Sequence, residues 1–196
     1  MILEKQIKAA EKHVVDFDHR THELFEPHGD TRAVKTLDLF SKLGDQPQMR
    51  TLCAAVIAGG LLLRRKRLIR TGIRMLIAHE AATSAKLAIK MEFDRTRPRS
   101  ANGRSEKKIR KGDSKAKEES SFPSGHSAGA MAAARAFSRE YPEYGAAALA
   151  AGAAVAASQI PRCAHYPSDV AAGAAVGLAS EAAANAVWRA AGLDDD

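Results

Sequence analysis

Three short clusters of residues suited to phosphate chemistry lie between residues 90 and 169. The first pairs Lys90 with Arg97, with six residues between them. The second is the run Pro-Ser-Gly-His at 123–126, and the third runs over 165–169 from a histidine to an aspartate. Lysine and arginine attract anions, a helix start presents unpaired N–H groups, and histidine titrates near neutral pH. Together these residue types predict a site that holds a phosphate group and moves protons beside it.

The predicted chemistry is divided between groups that hold the phosphate and histidines that react with it. Lys90 and Arg97 would supply positive charge, and the arginine can bind two oxygens at once. Ser124 and the amide of Gly125 would add hydrogen-bond donors. Such groups stabilise the charge that spreads over the equatorial oxygens during phosphoryl transfer. Of two histidines, one would attack phosphorus and the other would protonate the departing oxygen.

Asp169 stands four residues after His165, within reach along a helix face. Its carboxylate can accept the ring N–H of the histidine, which fixes the tautomer and raises the basicity of the ring. The same pair also fits a structural hydrogen bond or two metal ligands. Taken singly, Lys90 and Arg97 also fit an ordinary helix-end lysine and an ordinary linker arginine.

The elements that position these clusters are predicted to be helices, so the expected fold class is all-α. No sustained alternation of branched residues indicates strands, and alanine is abundant in the last third of the chain. We expect one domain over 1–196 with six or seven helices. An even number of helix crossings separates the three clusters, which places all of them at the same end of the bundle.

Residues 1–25 are predicted to form an amphipathic helix, because apolar residues recur along one stripe with lysines beside it. The stripe consists of Leu3, Ile7, Ala10, Val14, Phe17 and Leu24. It would either pack on the domain or lie on a membrane. The acidic and histidine residues of this helix, including Asp18 and His22, match no recognised metal-ligand spacing. We therefore expect them to lie on a solvated face.

The chain carries a net charge of +7 with a pI of about 9.6, which suits anionic partners such as nucleic acid, an anionic membrane or phosphorylated substrates. The segment 99–121 is basic, poor in apolar residues and predicted to be a flexible loop. It has no interleaved aromatic residues to stack on bases, so we expect no nucleic-acid partner. Cys53 and Cys163 fit no metal or redox motif and are expected to be small buried residues.

The three clusters together resemble the signature of the type 2 phosphatidic acid phosphatase (PAP2) superfamily, which includes bacterial acid phosphatases and vanadium haloperoxidases. Its pattern is Lys-x6-Arg-Pro, then Pro-Ser-Gly-His, then Ser-Arg-x5-His-x3-Asp, and the matching residues span 90–169. The resemblance implies a PAP2/haloperoxidase-type helical bundle. It also implies that His165 is a nucleophile forming a phosphohistidine, with Asp169 as its partner and His126 as the general acid.

The same resemblance assigns the phosphate cradle and the cofactor requirement. The cradle would consist of Lys90, Arg97, Ser124 and Gly125. No metal ion and no other cofactor is implied for phosphatase chemistry.

One position departs from the family pattern. The arginine expected six residues before the nucleophilic histidine is Gln159, which can donate hydrogen bonds but carries no charge. Losing a transition-state donor of this kind typically costs about 2.7–4 kcal/mol. Pro161 should end the preceding helix and leave Arg162 on a loop, three residues before His165. Our hypothesis is that Arg162 supplies the missing positive charge.

The function predicted from these residues is hydrolysis of a lipid phosphate monoester or pyrophosphate, in or on a membrane, as an integral or peripheral protein of a bacterial inner membrane. Apolar segments at 51–63, 145–157 and 170–188 favour a membrane. The mean hydropathy of −0.27 and the polar groups in the fourth helix oppose it. The alternatives are a soluble acid phosphatase for small phosphate esters, a vanadate-dependent haloperoxidase and a non-catalytic anion-binding protein.

Overall fold

A computed structural model describes residues 2–29, 31–100, 109–112, 114 and 116–193. Within these ranges the chain forms seven α-helices, which confirms the all-α prediction and the expected number of helices. They are α1 (Ile2–Phe25), α2 (Arg32–Ser41), α3 (Gln46–Leu62), α4 (Lys66–Lys90), α5 (Gly125–Glu140), α6 (Gly145–Ala157) and α7 (Pro167–Ala190). Two short strands that the sequence does not predict, β1 (Phe93–Asp94) and β2 (Arg110–Lys111), pair antiparallel.

Helix α5 lies at the centre of the bundle and packs against α4, α6 and α7. Small residues make these contacts close: a Cβ atom on Gly177 of α7 would lie 2.2 Å from the carbonyl oxygen of Ala128 in α5. This is the close helix approach that small residues permit. The buried core between α3, α4 and α5 consists of Met49, Cys53, Met75, Ala78, Ala82, Ala128, Ala132, Ala133 and Ala136. Both cysteines are buried and unpaired, as predicted.

The three clusters meet at one end of the bundle, where α4 ends and where α5 and α7 begin. The amide of Ser124 donates to the carbonyl oxygen of Asp169 at 3.0 Å, which ties the start of α5 to the start of α7. The amide of Ser121 donates to the carbonyl oxygen of Arg95 at 2.9 Å, which ties the segment after α4 to the segment before α5. Backbone hydrogen bonds therefore hold the segments that carry the predicted site.

The basic segment 99–121 is only partly described, because residues 101–108, 113 and 115 lie outside the described residues. Its described part includes β2 and a 3-10 turn over Lys117–Glu119. The carbonyl oxygens of Lys117 and Ser120 accept hydrogen bonds from Arg97 at 2.8 and 3.3 Å. The end of the segment nearest α5 is therefore held against the predicted site.

Helix α1 contacts the domain through polar residues, while the described side chains of its apolar stripe face outward. Phe17 and Leu24 of the stripe are 60% and 64% exposed. Asp18 and His22 are buried instead, so the prediction of a solvated face is wrong for both. The reason for Asp18 is a buried ion pair with Arg95, which the helical pattern cannot reveal. Within the described ranges, no group of three or more His, Cys, Asp or Glu side chains could hold a metal ion.

Among the described residues, one helix, α7, is long and apolar enough to cross a membrane, with a mean hydropathy of 1.3 over its most apolar 18 residues. Length and composition alone give this result. The polar groups of α4 that argue against lipid contact are partly satisfied inside the bundle: Arg74 donates to a carboxylate oxygen of Glu140 in α5 at 2.9 Å. The charge of Arg74 is thus paired inside the bundle.

Candidate active site

A cavity of about 600 Å³ opens at the end of the bundle where the clusters meet. Its walls come from the end of α4, the segment after it, the start of α5, the loop before α7 and the turn Lys42–Gly44. The cationic side chains on its walls are Lys42, Lys86, Lys90, Arg97, Arg99, Lys117 and Arg162. Asp45 is the one acidic residue among the described residues lining it. This excess of positive charge suits a multiply charged anion.

Seven of the nine predicted site residues line this cavity. They are Lys90, Arg97, Gly125, His126, Gln159, Arg162 and His165. The other two, Ser124 and Asp169, are fully buried behind the cavity wall. The predicted clusters therefore surround one space, with two members acting from behind it.

Lys86 and Lys90 lie one helical turn apart on α4, and both reach the cavity. Burial, together with the positive charges of Arg97 and Lys86, lowers the pKa of Lys90 to about 7. Burial also lowers the pKa of Lys86. A Cβ atom on Gly125 would lie 3.2 Å from Cδ of Lys86, so a glycine at the start of α5 leaves room for this lysine. The sequence does not single out Lys86, although its four-residue spacing from Lys90 is a usable signal.

His165 is held between Arg97 and Asp169. Its Nε2 lies 3.3 Å from Nη1 of Arg97, and its Nδ1 lies 3.8 Å from Oδ2 of Asp169. A guanidinium offers only donors, so Nε2 must present its lone pair, and we assign the ring proton to Nδ1 on the side of the carboxylate. Burial lowers the pKa of His165 to about 4 against the opposing effect of Asp169. The ring is therefore neutral at neutral pH, with a lone pair at the cavity.

The carboxylate of Asp169 is fixed by several donors. Its Oδ1 accepts from Arg95 at 2.6 Å, and its Oδ2 accepts from the hydroxyl of Ser121 at 2.6 Å and from the amide of Tyr166 at 2.9 Å. Arg95 also donates to Asp18 of α1 at 2.7 Å. The sequence does not predict Arg95, Ser121 or Asp18 as part of the site, because pairings across long sequence separations leave no local pattern.

His126 lies at the start of α5 and pairs with an acid from outside the three clusters. Its Nε2 is 2.8 Å from Oδ1 of Asp45, the residue before α3. Burial lowers the pKa of His126, Asp45 opposes this effect, and the positive charge of Arg162 adds to it. His126 can therefore share a proton with Asp45. Because its pKa is lowered, the ring is protonated only at a lower pH than an ordinary histidine.

Ser124 is placed differently from the prediction of a hydroxyl that binds phosphate. Its Oγ accepts from the amide of Ser127 at 3.4 Å and from the hydroxyl of Ser127 at 2.9 Å, which makes it the N-cap of α5. The physical reason is the demand of the helix start for an acceptor. The amides of Gly125 and His126 open the helix, where N–H groups have no carbonyl partner within the helix.

Gln159 and Arg162 lie together on the wall opposite α4. Nη1 of Arg162 donates to Oε1 of Gln159 at 3.1 Å, and Nε2 of Gln159 donates to Oγ of Ser41 at 2.8 Å. The guanidinium also pairs with Asp38 of α2. Arg97 and Arg162 line the same cavity. A cation is thus present beside the glutamine that replaces the expected arginine.

Comparison with known protein families gives one match: the model of the PAP2 superfamily fits residues 51–192. No curated protein and no solved structure matches the chain. The matched range includes all three clusters. Asp18, Asp45 and the turn Lys42–Gly44 lie outside it.

Proposed function

Because the chain belongs to the PAP2 superfamily, whose members are generally phosphatases, we propose that it removes phosphate from a phosphorylated lipid through a phosphohistidine intermediate. The observation that carries this proposal is the position of His165. Its Nε2 lone pair lies beside Arg97 in a cavity lined with cations. Neutral histidine is the nucleophilic form, and surrounding cations stabilise the charge of the transferred group.

In the first proposed step, Nε2 of His165 attacks phosphorus and forms an N–P bond. The bond between phosphorus and the leaving oxygen breaks, and that oxygen takes a proton from His126. Arg97, Lys86 and Lys90 hold the equatorial oxygens of the transferred group. Asp169 stabilises the positive charge that develops on the ring of His165.

In the second proposed step, water attacks the phosphohistidine. The neutral His126 accepts a proton from that water as the new P–O bond forms and the N–P bond breaks. Inorganic phosphate leaves, and both histidines return to their starting forms. One residue thus serves as acid and then as base, which the pair of His126 with Asp45 supports because the carboxylate stabilises the charged ring.

The position of Arg162 supports the hypothesis that it replaces the arginine missing at position 159. It lines the cavity, contacts Gln159 and is anchored by Asp38. An anchored guanidinium loses little conformational freedom when it binds two phosphate oxygens. We therefore assign it to the phosphate-binding set with Arg97.

An apolar groove of about 560 Å³ favours a lipid over a small phosphate ester. Gln48 lines both the groove and the cavity. Gly44 forms the partition between them: a Cβ atom there would lie 2.6 Å from Val155 on the groove side and 3.1 Å from His126 on the cavity side. A substrate with its phosphate at His165 would place its hydrocarbon part in this groove.

A membrane location is the corresponding proposal for where the protein acts. Leu61 and Leu62 at the end of α3 are 61% and 84% exposed, and basic residues follow at 64–67. Exposed apolar groups bordered by cations are typical of proteins at anionic membrane surfaces. A bacterial inner membrane, with the protein integral or peripheral, fits these features.

The test compares hydrolysis of phosphatidic acid, an isoprenyl pyrophosphate and p-nitrophenyl phosphate by the full chain. We expect turnover of a lipid substrate, inhibition by orthovanadate and no turnover by His165→Ala. Turnover of p-nitrophenyl phosphate alone would favour the soluble acid phosphatase. Vanadate binding without any turnover would favour the anion-binding protein and refute the enzyme. Resistance of the membrane-bound protein to an alkaline carbonate wash would support an integral location, and release would support a peripheral one.

A further inference from the structure

We propose that Asp18 of α1 is a positioning residue for His165, acting through Arg95 and Asp169. This inference rests on the proposed role of His165 as the nucleophile. It adds to the site a residue that lies outside the range matched by the family model.

The three charged groups form one continuous buried chain. Oδ2 of Asp18 accepts from Nη2 of Arg95 at 2.7 Å, and Oδ1 of Asp169 accepts from Nη1 of the same arginine at 2.6 Å. The side chains of all three residues are at most 1% exposed. Water therefore screens these charges little, and each group depends on its partners for orientation.

The contacts of Asp18 also reach the loop that carries His165. The amide of Ser168 donates to Oδ1 of Asp18 at 3.0 Å, and the hydroxyl of Ser168 donates to its Oδ2. The same hydroxyl accepts from Nη1 of Arg95 at 2.7 Å. Asp18 thus holds both the guanidinium and the first turn of α7, from which Asp169 faces His165.

The guanidinium of Arg95 is held by an aromatic ring as well as by the two carboxylates. Its guanidinium carbon lies 4.1 Å from the ring centroid of Tyr166, so the group stacks on that ring. Rotation of the guanidinium would break its bonds to both carboxylates at once. Asp169 lies 3.8 Å from Nδ1 of His165, beyond hydrogen-bond distance, so it acts on the Nδ1 proton by electrostatic attraction, which changes when the carboxylate shifts. This is the physical route from Asp18 to the lone pair on Nε2.

The test substitutes Asp18→Asn and uses Asp16→Asn as the matched control, because Asp16 lies on the same helix but is exposed. We expect Asp18→Asn to lower kcat by roughly 10-fold, within the range for residues coupled in one polar network, with KM unchanged. Asp16→Asn should retain the wild-type kcat. A residue that only stabilised the fold would lower the amount of active protein without changing the state of the ring of His165.

Nitrogen-15 NMR of the histidine rings reports the state of His165 without any need for turnover. The signal of His165 is assigned as the one that disappears in His165→Ala. We expect His165 to carry its proton on Nδ1 in all three proteins, and the Nδ1 signal of this ring to differ from the wild type in Asp18→Asn but not in Asp16→Asn. An inactive wild type showing these NMR differences would refute the phosphatase but keep the positioning role. Identical kcat and NMR signals in both variants would overturn the positioning role.

Should Asp18→Asn fail to fold, Ser168→Ala takes its place, since it removes the hydroxyl that joins Asp18 to Arg95 and leaves the ion pairs. The expected result is a smaller change in the same direction, with kcat lowered severalfold and a smaller shift of the Nδ1 signal of His165. Unchanged kcat together with an unchanged Nδ1 signal would then overturn the proposal.

Discussion

Removal of the guanidinium of Arg162 should slow catalysis far more than it destabilises the fold. The side chain is 14% exposed and its partner Asp38 is 47% exposed, so the carboxylate can be solvated when Arg162→Ala removes its partner. An ion pair with one well-exposed partner contributes on the order of 1 kcal/mol to the free energy of unfolding. A transition-state donor contributes about 2.7–4 kcal/mol, which is roughly a 100–1,000-fold loss in kcat.

The same substitution should move the alkaline limb of the pH–rate profile. His126 must be protonated to donate to the leaving oxygen, and the positive charge of Arg162 lowers its pKa. Without that charge the protonated ring becomes easier to form, so the pKa of His126 rises. The alkaline limb of kcat/KM then moves to higher pH while the maximum falls.

The assay measures kcat and KM over a range of pH for Arg162→Ala, Arg162→Lys and two controls. Arg162→Lys keeps the positive charge but cannot donate in a bidentate manner, so its kcat should lie between those of the wild type and Arg162→Ala. Asp38→Asn keeps the guanidinium and should cost little. Arg97→Ala should abolish turnover. If Arg162→Ala retained full kcat while Arg97→Ala was inactive, Arg162 would not be the substitute for the missing arginine.

Three further outcomes are expected. Asp45→Asn should lower the pKa of His126 and shift the alkaline limb to lower pH, since it removes the carboxylate that stabilises the protonated ring; a shift to higher pH would contradict the pairing. The pKa of Lys90 is about 7, so this lysine is mostly neutral at pH 8. Binding of the orthovanadate anion should favour its charged form, and the resulting proton uptake is detected by calorimetry in buffers of different ionisation enthalpy. Equal heats in all buffers would contradict this expectation. Ala151→Trp, in the apolar groove, should raise KM for a long-chain lipid phosphate but not for p-nitrophenyl phosphate. The control Ala150→Trp is exposed on the same helix outside the groove, and it should change neither KM. An equal effect of both tryptophans would argue against a tail in the groove.

Local patterns in the sequence are enough to predict the helices and the three clusters. Helix periodicity and the breaks before α5 and α7 reflect forces between neighbours in the chain, so the order of elements and the shared end of the bundle follow from them. Lys90, Arg97, His126 and His165 lie on one cavity for that reason.

The partners of those residues could not be predicted in the same way. Asp45 meets His126, and Asp18 meets Arg95, only after helices distant in sequence have packed together. The predicted role of Ser124 as a phosphate ligand differs from the structure, and the reason is similar. A serine at a helix start can cap the helix or bind a ligand, and only the three-dimensional arrangement shows that its hydroxyl points to Ser127.

The contact between Asp18 and Ser168 has a consequence for the order of events during synthesis. The two residues are 150 positions apart, so α1 leaves the ribosome long before the segment it binds. Contacts between distant segments form late because closing a long loop costs entropy before the contact repays it. A nascent chain would therefore carry the cationic cavity wall of α4 before its nucleophile is in place. Full alignment of His165 would wait until the start of α7 has been made.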